Sequence, residues 1–289
     1  MNKDLTIVFS SYQSQHLLNN LLKKLNKNYR IIVVENSLDI NVKKSLEQKF
    51  KNVSVIIPRE NLGLAKSYNL GIKKAKTKFV FLNNPDIVIN NQSIKNLLFC
   101  AKKIKKFGAI SPIFKKENIF KNYEIINKMK IRYSKFFKSF GIVEVDLLDN
   151  NFLIDKEQIK NMLFDENYFL YYETFDFTLN LKKNGKKLYI VKSIKFHHIG
   201  SSLKPKYKNL VLKTRSFHYN WSKFYYFKKN FSYVLALRKV IPNIIRAIKK
   251  IIIGSLKFDF KIVKLSLIEL LGIFSGIFFF KSFYRPNNN

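Results

Sequence analysis

Between Leu5 and Leu82 short β-rich apolar runs alternate with segments of helical spacing, and this alternation restricts the fold more than any other feature. Leu5–Ser10, Ile31–Val34, Val53–Ile57 and Lys78–Leu82 read as buried strands. Between them lie His16–Leu25, with leucines at 17, 18, 21, 22 and 25, then Val42–Lys49, then Ala65–Ala75. Successive strand–helix–strand units require a mostly parallel sheet flanked by helices, with right-handed crossovers. Strand ends in this stretch carry polar clusters: Ser10-Ser11, Glu35-Asn36-Ser37 and Asn84-Pro85-Asp86. Open α/β sheets hold ligands at the carboxyl ends of their strands. No Gly-rich turn follows the first strand, which speaks against a dinucleotide-binding fold and a P-loop.

The rest of the chain extends this pattern. A helix is expected over Ser93–Lys106, a short strand over Ala109–Pro112, and strands over Val143–Leu148 and Asn150–Ile154. Residues 115–139 are basic and aromatic without a clear period and read as a variable insertion. A helix over Lys156–Met162 precedes an acidic and aromatic segment (Leu163–Asp176), and a further helix, Phe175–Lys183, ends at Asn184-Gly185. After a strand at Leu188–Val191, KFHHIGSS (Lys195–Ser202) is expected to carry His197 and His198 in a loop. The boundary falls near residue 208, leaving 209–289 as a helical, basic and apolar extension. Its most apolar run, LSLIELLGIFSGIFFF, is sixteen residues and contains Glu269. A spanning helix needs roughly 20 apolar residues. Two readings of this extension stand: interfacial helices on an anionic membrane surface, or helices packed on the catalytic domain or in a homo-oligomer.

With 54 Lys+Arg against 19 Asp+Glu, the net charge is +35. The lysines are dispersed and accompany abundant Asn, Ile and Phe, the composition an AT-rich genome favours. No nucleic-acid-binding motif accompanies the charge, so no nucleic-acid partner is expected. An anionic membrane surface is the functional counterpart. The single cysteine, Cys100, excludes a disulfide framework and a cysteine-ligated zinc site. MNKDLTIVFSSY lacks a secretory h-region, so a cytoplasmic location is expected.

Five segments, in order, resemble motifs of the inverting family-2 glycosyltransferases. VVENSLD (Val33–Asp39) resembles their VDNxSxD, and RENLGLAKSYNLGI (Arg59–Ile72) resembles NxGfaxgxNxGi. FLNNPDIVI (Phe81–Ile89) resembles fLNPDxxv. LFDENYFLYYETFDFTLNLKKNGKKLYIV (Leu163–Val191) resembles FDExFFxyxEDxDlcxRlxkxGyxlxxv, and HHIGSS resembles HxxGxS. The set covers about residues 4–205 and is similar above all to the rhamnosyltransferase-like branch that builds bacterial surface polysaccharide.

The resemblance implies a GT-A fold, a Rossmann-like and mostly parallel sheet. It further implies single-displacement transfer from a nucleotide-sugar (dTDP-, UDP- or GDP-linked) to a lipid-linked or surface-glycan acceptor such as O-antigen or capsule. Asp86 matches the last carboxylate of the family's metal motif, implying Mg²⁺ or Mn²⁺; taken alone, Asn-Pro-Asp is a capped turn. His198, with His197 as the alternative, matches the histidine some relatives add. Ser11, Glu35, Asn61, Asn69, Asn84 and Asp86 fall on donor-side positions. Glu35 replaces the family's Asp, and Asn61 is equally suited to capping a helix. The family's general base falls on Thr174, which cannot serve; Glu173 is the first alternative and Asp176 the second. Both also suit a helix N-terminus. Thr174 makes a catalytically impaired scaffold protein the competing reading. An enzyme of this kind is expected on the inner face of the cell membrane.

Overall fold

The computed structural model describes residues 4–104, 106–114, 123–124, 134–199 and 207–286. They form two compact units. One comprises Met1–Leu62, Lys66–Phe164 and Phe177–Ser202; the other comprises Gly63–Ala65, Asp165–Asp176 and Leu203–Asn289.

The first half of the chain folds as β1 (Leu5–Ser11), α1 (Gln15–Lys24), β2 (Arg30–Glu35), α2 (Ile40–Lys49), β3 (Val53–Ile56), α3 (Gly63–Lys74), β4 (Phe79–Asn83), β5 (Ile87–Val88) and α4 (Asn91–Lys103). Then follow β6 (Phe107–Phe114), β7 (Tyr123–Glu124), α5 (Lys135–Phe140), β8 (Ile142–Val145), β9 (Leu147–Leu148), β10 (Leu153–Asp155), α6 (Lys156–Ile159), α7 (Glu173–Lys183) and β11 (Lys187–His198). Among the described residues the main sheet runs β3-β2-β1-β4-β10-β6-β11-β5, with β8 also on β11. Strands β3, β2, β1 and β4 are parallel, while β10 enters antiparallel to both β4 and β6.

Strand alternation divides the core between two faces. Leu5, Ile7 and Phe9 of β1 join Ile31, Val33, Phe79 and Phe81 in a cluster with Leu18, Leu21 and Leu22 of α1, Leu46 of α2 and Leu97 of α4. On the other face Val8 meets α3 at Gly71, where an added Cβ would lie 2.2 Å from Val8 Cγ1. Only glycine lets α3 seat on the sheet there. The helix starts and stops follow local chemistry. Asp39 and Asn90 cap α2 and α4 by accepting the N–H groups of Asn41 and Ser93. At the end of α7, Gly185 takes φ +70°, and the N–H groups of Gly185 and Lys186 return to Lys182 and Leu181.

The second unit contains α8 (Lys208–Asn230), α9 (Tyr233–Leu256) and α10 (Phe260–Ile277). Phe224, Ala236, Val240 and Ile273 form its small apolar centre. The segment after α10 is tied down within the unit. Trp221 Nε1 donates to the Phe280 carbonyl at 2.9 Å, Ser282 Oγ donates to the Asn167 carbonyl at 2.9 Å, and His218 Nε2 lies 2.6 Å from the Tyr284 carbonyl oxygen. No helix among the described residues is long and apolar enough to cross a membrane.

The expected mostly parallel sheet flanked by helices is present, and β10, β8 and β5 pair antiparallel within it. Several other expectations are corrected. Val143–Leu148 splits into β8 and β9, and the expected strand from Asn150 shrinks to β10 because Asn150 and Asn151 take positive φ. The expected helix Lys156–Met162 stops at Ile159, where Lys160 takes φ +50°. His197 and His198 lie on β11, paired with Val88 and Ile87, instead of in a loop. Most of the 115–139 insertion, and Gly200–Ser202 of the HxxGxS-like segment, lie outside the described residues.

Candidate functional site

In the first unit, the carboxyl ends of β1, β2 and β4 bring most of the donor-side positions onto one edge. Ser11 ends β1 in parallel register with Glu35, which ends β2. Both are buried. Glu35 Oε1 accepts the Ser37 N–H at 3.0 Å, whereas Glu35 Oε2 and Ser11 Oγ are buried without a hydrogen-bond partner. A buried polar atom without a partner is costly and calls for a physical reason. These two sit side by side at a sheet edge of the kind that receives ligands.

Asn36 fastens this edge, a role the sequence reading did not single out. Its main-chain N–H donates to the Ser11 carbonyl at 2.7 Å, and its Nδ2 donates to Ser67 Oγ at 2.9 Å. Its Oδ1 accepts the Leu62 N–H at 2.9 Å. One amide thus joins the ends of β1 and β2 to α3 and to the Asn61-Leu62 turn. The available signal was its place between Glu35 and Ser37 in a strand-end cluster. Leu62 holds the N-cap position of α3, one residue after Asn61, and its own side chain makes no capping bond. Asn69 is buried, and its amide clamps the Phe164 main chain, donating to the carbonyl and accepting the N–H, both at 2.9 Å. The side chain is a main-chain brace.

The end of β4 is equally organised. Asn83 is fully buried, and its Nδ2 donates to the Asn84 carbonyl at 2.9 Å and the Ile87 carbonyl at 3.3 Å. Its Oδ1 accepts a bond from Asn151. Tyr68 of α3 donates its hydroxyl to Asn84 Oδ1 at 2.8 Å. This scaffold presents Asp86 half-buried. The Asp86 carbonyl accepts the Ile199 N–H at 2.9 Å, and the pairing of β5 with β11 sets His198 beside the carboxylate. Asp86 Oδ2 and His198 Nε2 are 3.3 Å apart. The two residues that sequence matching singled out, 112 positions apart in the chain, therefore meet. Groups of three or more His, Cys, Asp or Glu at metal-binding spacing do not occur among the described residues.

In the second unit lies an acidic segment. Glu173 and Asp176 occupy the first turn of α7, one helical turn apart, and both are buried, as is Thr174. The chain enters this helix through Tyr171 and Tyr172, both with positive φ (68° and 63°). Two successive bulky residues in that conformation are strained and persist only where the surroundings fix them. Lys229, near the end of α8, supplies part of that constraint. Its Nζ lies 2.6 Å from Asp176 Oδ2 and 2.7 Å from Asp165 Oδ2. Asn230 Nδ2 donates to Asp176 Oδ1 at 2.7 Å, and the Tyr225 hydroxyl donates to Asp165 Oδ2 at 2.9 Å. Burial pushes the Asp165 pKa up, but the Lys229 ammonium and the donated hydrogen bonds outweigh it and hold the carboxyl below its usual range. Burial likewise disfavours the Lys229 ammonium, and the two carboxylates more than compensate, holding it above the usual lysine value. Tyr171 is raised first by burial and further by the charge of Glu173, with Arg215 opposing.

The family model described as "Glycosyl transferase family 2" matches residues 6–163. A hexosyltransferase of low-salt glycan biosynthesis, Agl10 of Haloferax volcanii, is 22% identical over 203 residues, 64% of this chain and 64% of its own length. The minor teichoic acid biosynthesis protein GgaB of Bacillus subtilis is 27% identical over 165 residues, 54% of this chain and 17% of its own. The chain thus spans less than two thirds of each of these relatives. Among solved structures, GalNAc-T7 with UDP, GalNAc and Mn²⁺ superposes with a TM-score of 0.54 at 13% identity, over 80% of this chain and 52% of its own, a likeness of fold.

Proposed function

The chain belongs to glycosyl transferase family 2, and we propose that it is an inverting transferase that moves a sugar from a nucleoside-diphosphate donor to a lipid-linked or surface-glycan acceptor at the inner face of a membrane. The observation that carries the reading is the approach of His198 Nε2 to Asp86 Oδ2, 3.3 Å, at the end of β4. The pair fits a divalent ion: adjacent ligands of an octahedral Mg²⁺ or Mn²⁺ with bonds of about 2.1 Å stand roughly 3 Å apart. Asp86 and His198 would hold such an ion, and it would offset the negative charge that grows on the departing diphosphate.

The chain's own residues do the rest. Glu35 Oε2 and Ser11 Oγ, buried without partners, accept or donate to the nucleotide, and Asn36 and Asn83 hold their strand ends in place. Asn61 and Asn84 complete the donor side, and Asn69 contributes by bracing the chain. Glu173 is the general base: it takes the proton of the acceptor hydroxyl as that oxygen attacks the anomeric carbon and the nucleoside diphosphate leaves. Asp176, bonded to Lys229 and Asn230, fixes the turn that carries Glu173. The ordered motifs favour the rhamnosyltransferase-like branch, and the two curated relatives, one in glycan and one in teichoic acid biosynthesis, favour a cell-surface glycan as product. Thr174, standing where the family carries its base, favours a second reading, a non-catalytic member that still binds donor.

Calorimetry tests the site. Titration with UDP, GDP or dTDP in the presence of Mn²⁺ is expected to show binding that Asp86→Ala abolishes. Binding of equal strength in that variant overturns the assignment.

A further inference from the structure

In the second unit, α9 and α10 turn small residues inward and large aliphatic ones outward. The buried side of α9 carries Ala236, Val240, Asn243, Ala247 and Gly254. That of α10 carries Ser266, Gly272, Ile273, Ser275 and Gly276. Small and polar residues thus make up most of the buried sides of these two helices, packed against the larger aromatics Phe217, Trp221 and Phe224 of α8. At Gly272 the helix approaches the main chain so closely that a Cβ would lie 2.3 Å from the Phe217 carbonyl oxygen. Asn243 Nδ2 donates to Asn220 Oδ1 at 2.8 Å, and Asn243 Oδ1 accepts from Arg246 at 2.8 Å, so the helices are joined partly by polar contacts.

The large aliphatic side chains point outward instead. Ile241, Ile245, Ile248, Ile252 and Leu256 are all exposed, at spacings of four, three, four and four residues, which draw one stripe along α9. The turn to α10 continues it with Phe258 and Phe260, which together with Leu256 are 73–78% exposed. A water-facing helix shows the opposite pattern, and a continuous apolar surface of this extent marks an interaction site.

Charge decides what covers it. Residues 233–286 contain ten Lys and Arg against Asp259 and Glu269. Asp259 is engaged as the cap of α10, accepting the Ile262 N–H, and Glu269 lies 3.1 Å from Lys250 Nζ. A second copy of the same face would bring cations against cations. An apolar stripe flanked by cations on a helix not apolar enough to span is matched by the surface of an anionic bilayer. We infer that the second unit docks on anionic membranes through the outer stripe of α9 and the Leu256–Phe260 turn, the side chains entering the headgroup boundary while Lys249 and Lys257 meet lipid phosphates. This names the surface by which the proposed transferase reaches a lipid-borne acceptor, yet the inference stands on the α9 face alone.

Flotation of the full chain with vesicles tests it without reference to activity. The wild-type chain is expected to float with vesicles containing phosphatidylglycerol, less with pure phosphatidylcholine, and progressively less as salt rises. Ile245→Glu/Ile248→Glu/Ile252→Glu, all at exposed positions, is expected to lower the partition by about tenfold or more while circular dichroism and nucleotide binding stay unchanged. Phe258→Ser/Phe260→Ser, at the turn and the first residue of α10, gives the same direction through side chains that are exposed and pack on no core. Failure of the wild-type chain to float with anionic vesicles overturns the inference. So does a wild-type dimer that the α9 variant converts to monomer, which assigns the face to a second copy. Neither outcome touches the Asp86 assignment, and loss of nucleotide binding in Asp86→Ala leaves flotation intact.

Discussion

Replacing Lys229 by methionine removes the one ammonium that joins Asp165 and Asp176 and leaves two largely buried carboxylates facing each other. The side chains of Asp165 and Asp176 are 16% and 4% exposed, and that of Lys229 is 37% exposed. Breaking a fully buried pair costs about 3–5 kcal/mol. The partly open lysine is screened by water, which lowers the figure to about 2–3 kcal/mol. In a unit of about 100 residues each kcal/mol lowers the midpoint by roughly 4 °C, so Tm should fall by about 8–12 °C. The chain's single tryptophan, Trp221, is buried in α8 and reports on this unit directly. Its fluorescence during thermal and urea unfolding is the assay. The pH dependence sharpens the test. The depressed Asp165 contributes stability that is present above its unfolded pKa of about 3.8 and lost as pH falls through the lower folded value. The raised Lys229 contributes stability present below about 10.5 and lost as pH rises through its folded value. The gap between wild type and variant should therefore be widest between about pH 4 and pH 10.5, and it should close on the acid side. Asp165→Asn/Asp176→Asn/Lys229→Met should recover more than half of the loss. A gap below about 0.5 kcal/mol, or one constant down to pH 3, would show that Lys229 does not stabilise the two carboxylates.

Gly71→Ala places a methyl against Val8 in a packed core and should destabilise the first unit by about 1–3 kcal/mol, read by chemical denaturation; Val8→Ala in the same chain should restore part of it. His218 is buried and its pKa is held down to about 3, by burial first and then by the nearby Arg285, against the bond to the Tyr284 carbonyl. The unfolded chain therefore binds the extra proton from about pH 6.5 downward, and stability should fall between pH 6.5 and about 3. His218→Phe should flatten that part of the Trp221-detected profile. Asn36→Ala breaks the bonds to Ser67 and Leu62 and should weaken nucleotide binding at least tenfold while Tm drops by only a few degrees.

The parallel half of the sheet was legible because each strand there is a continuous apolar run closed by polar residues, and periodicity alone separates it from the helices. The convergence of Asp86 with His198 was legible only through the ordered motifs, since nothing local to either residue says that β5 pairs with β11. The antiparallel insertion of β10 escaped the reading because it depends on positive φ at Asn150 and Asn151, non-glycine residues whose conformation their tertiary contacts select. The roles of Asn36 and Asn69 escaped for the same reason. An asparagine that clamps main chain 95 positions away looks, in sequence, like one that waits for a ligand. Lys229 was hidden among 54 basic residues, and only its position between two carboxylates distinguishes it. In the C-terminal extension, composition announced apolar, basic helices but not which face is outward, because the small residues on the buried sides of α9 and α10 leave the usual amphipathic signal reversed.

Release of nucleoside diphosphate reads donor binding at Asp86 and proton transfer at Glu173 in one assay. The full chain is incubated with UDP-, GDP- and dTDP-sugars, Mn²⁺ and a lipid extract bearing polyprenyl-linked glycan, and the free diphosphate is measured beside Asp86→Ala and Glu173→Gln. Acceptor-stimulated release is expected with at least one donor, lost in Asp86→Ala through binding and lost in Glu173→Gln with binding retained. Release that is absent with every donor, or undiminished in both variants, contradicts the proposed function.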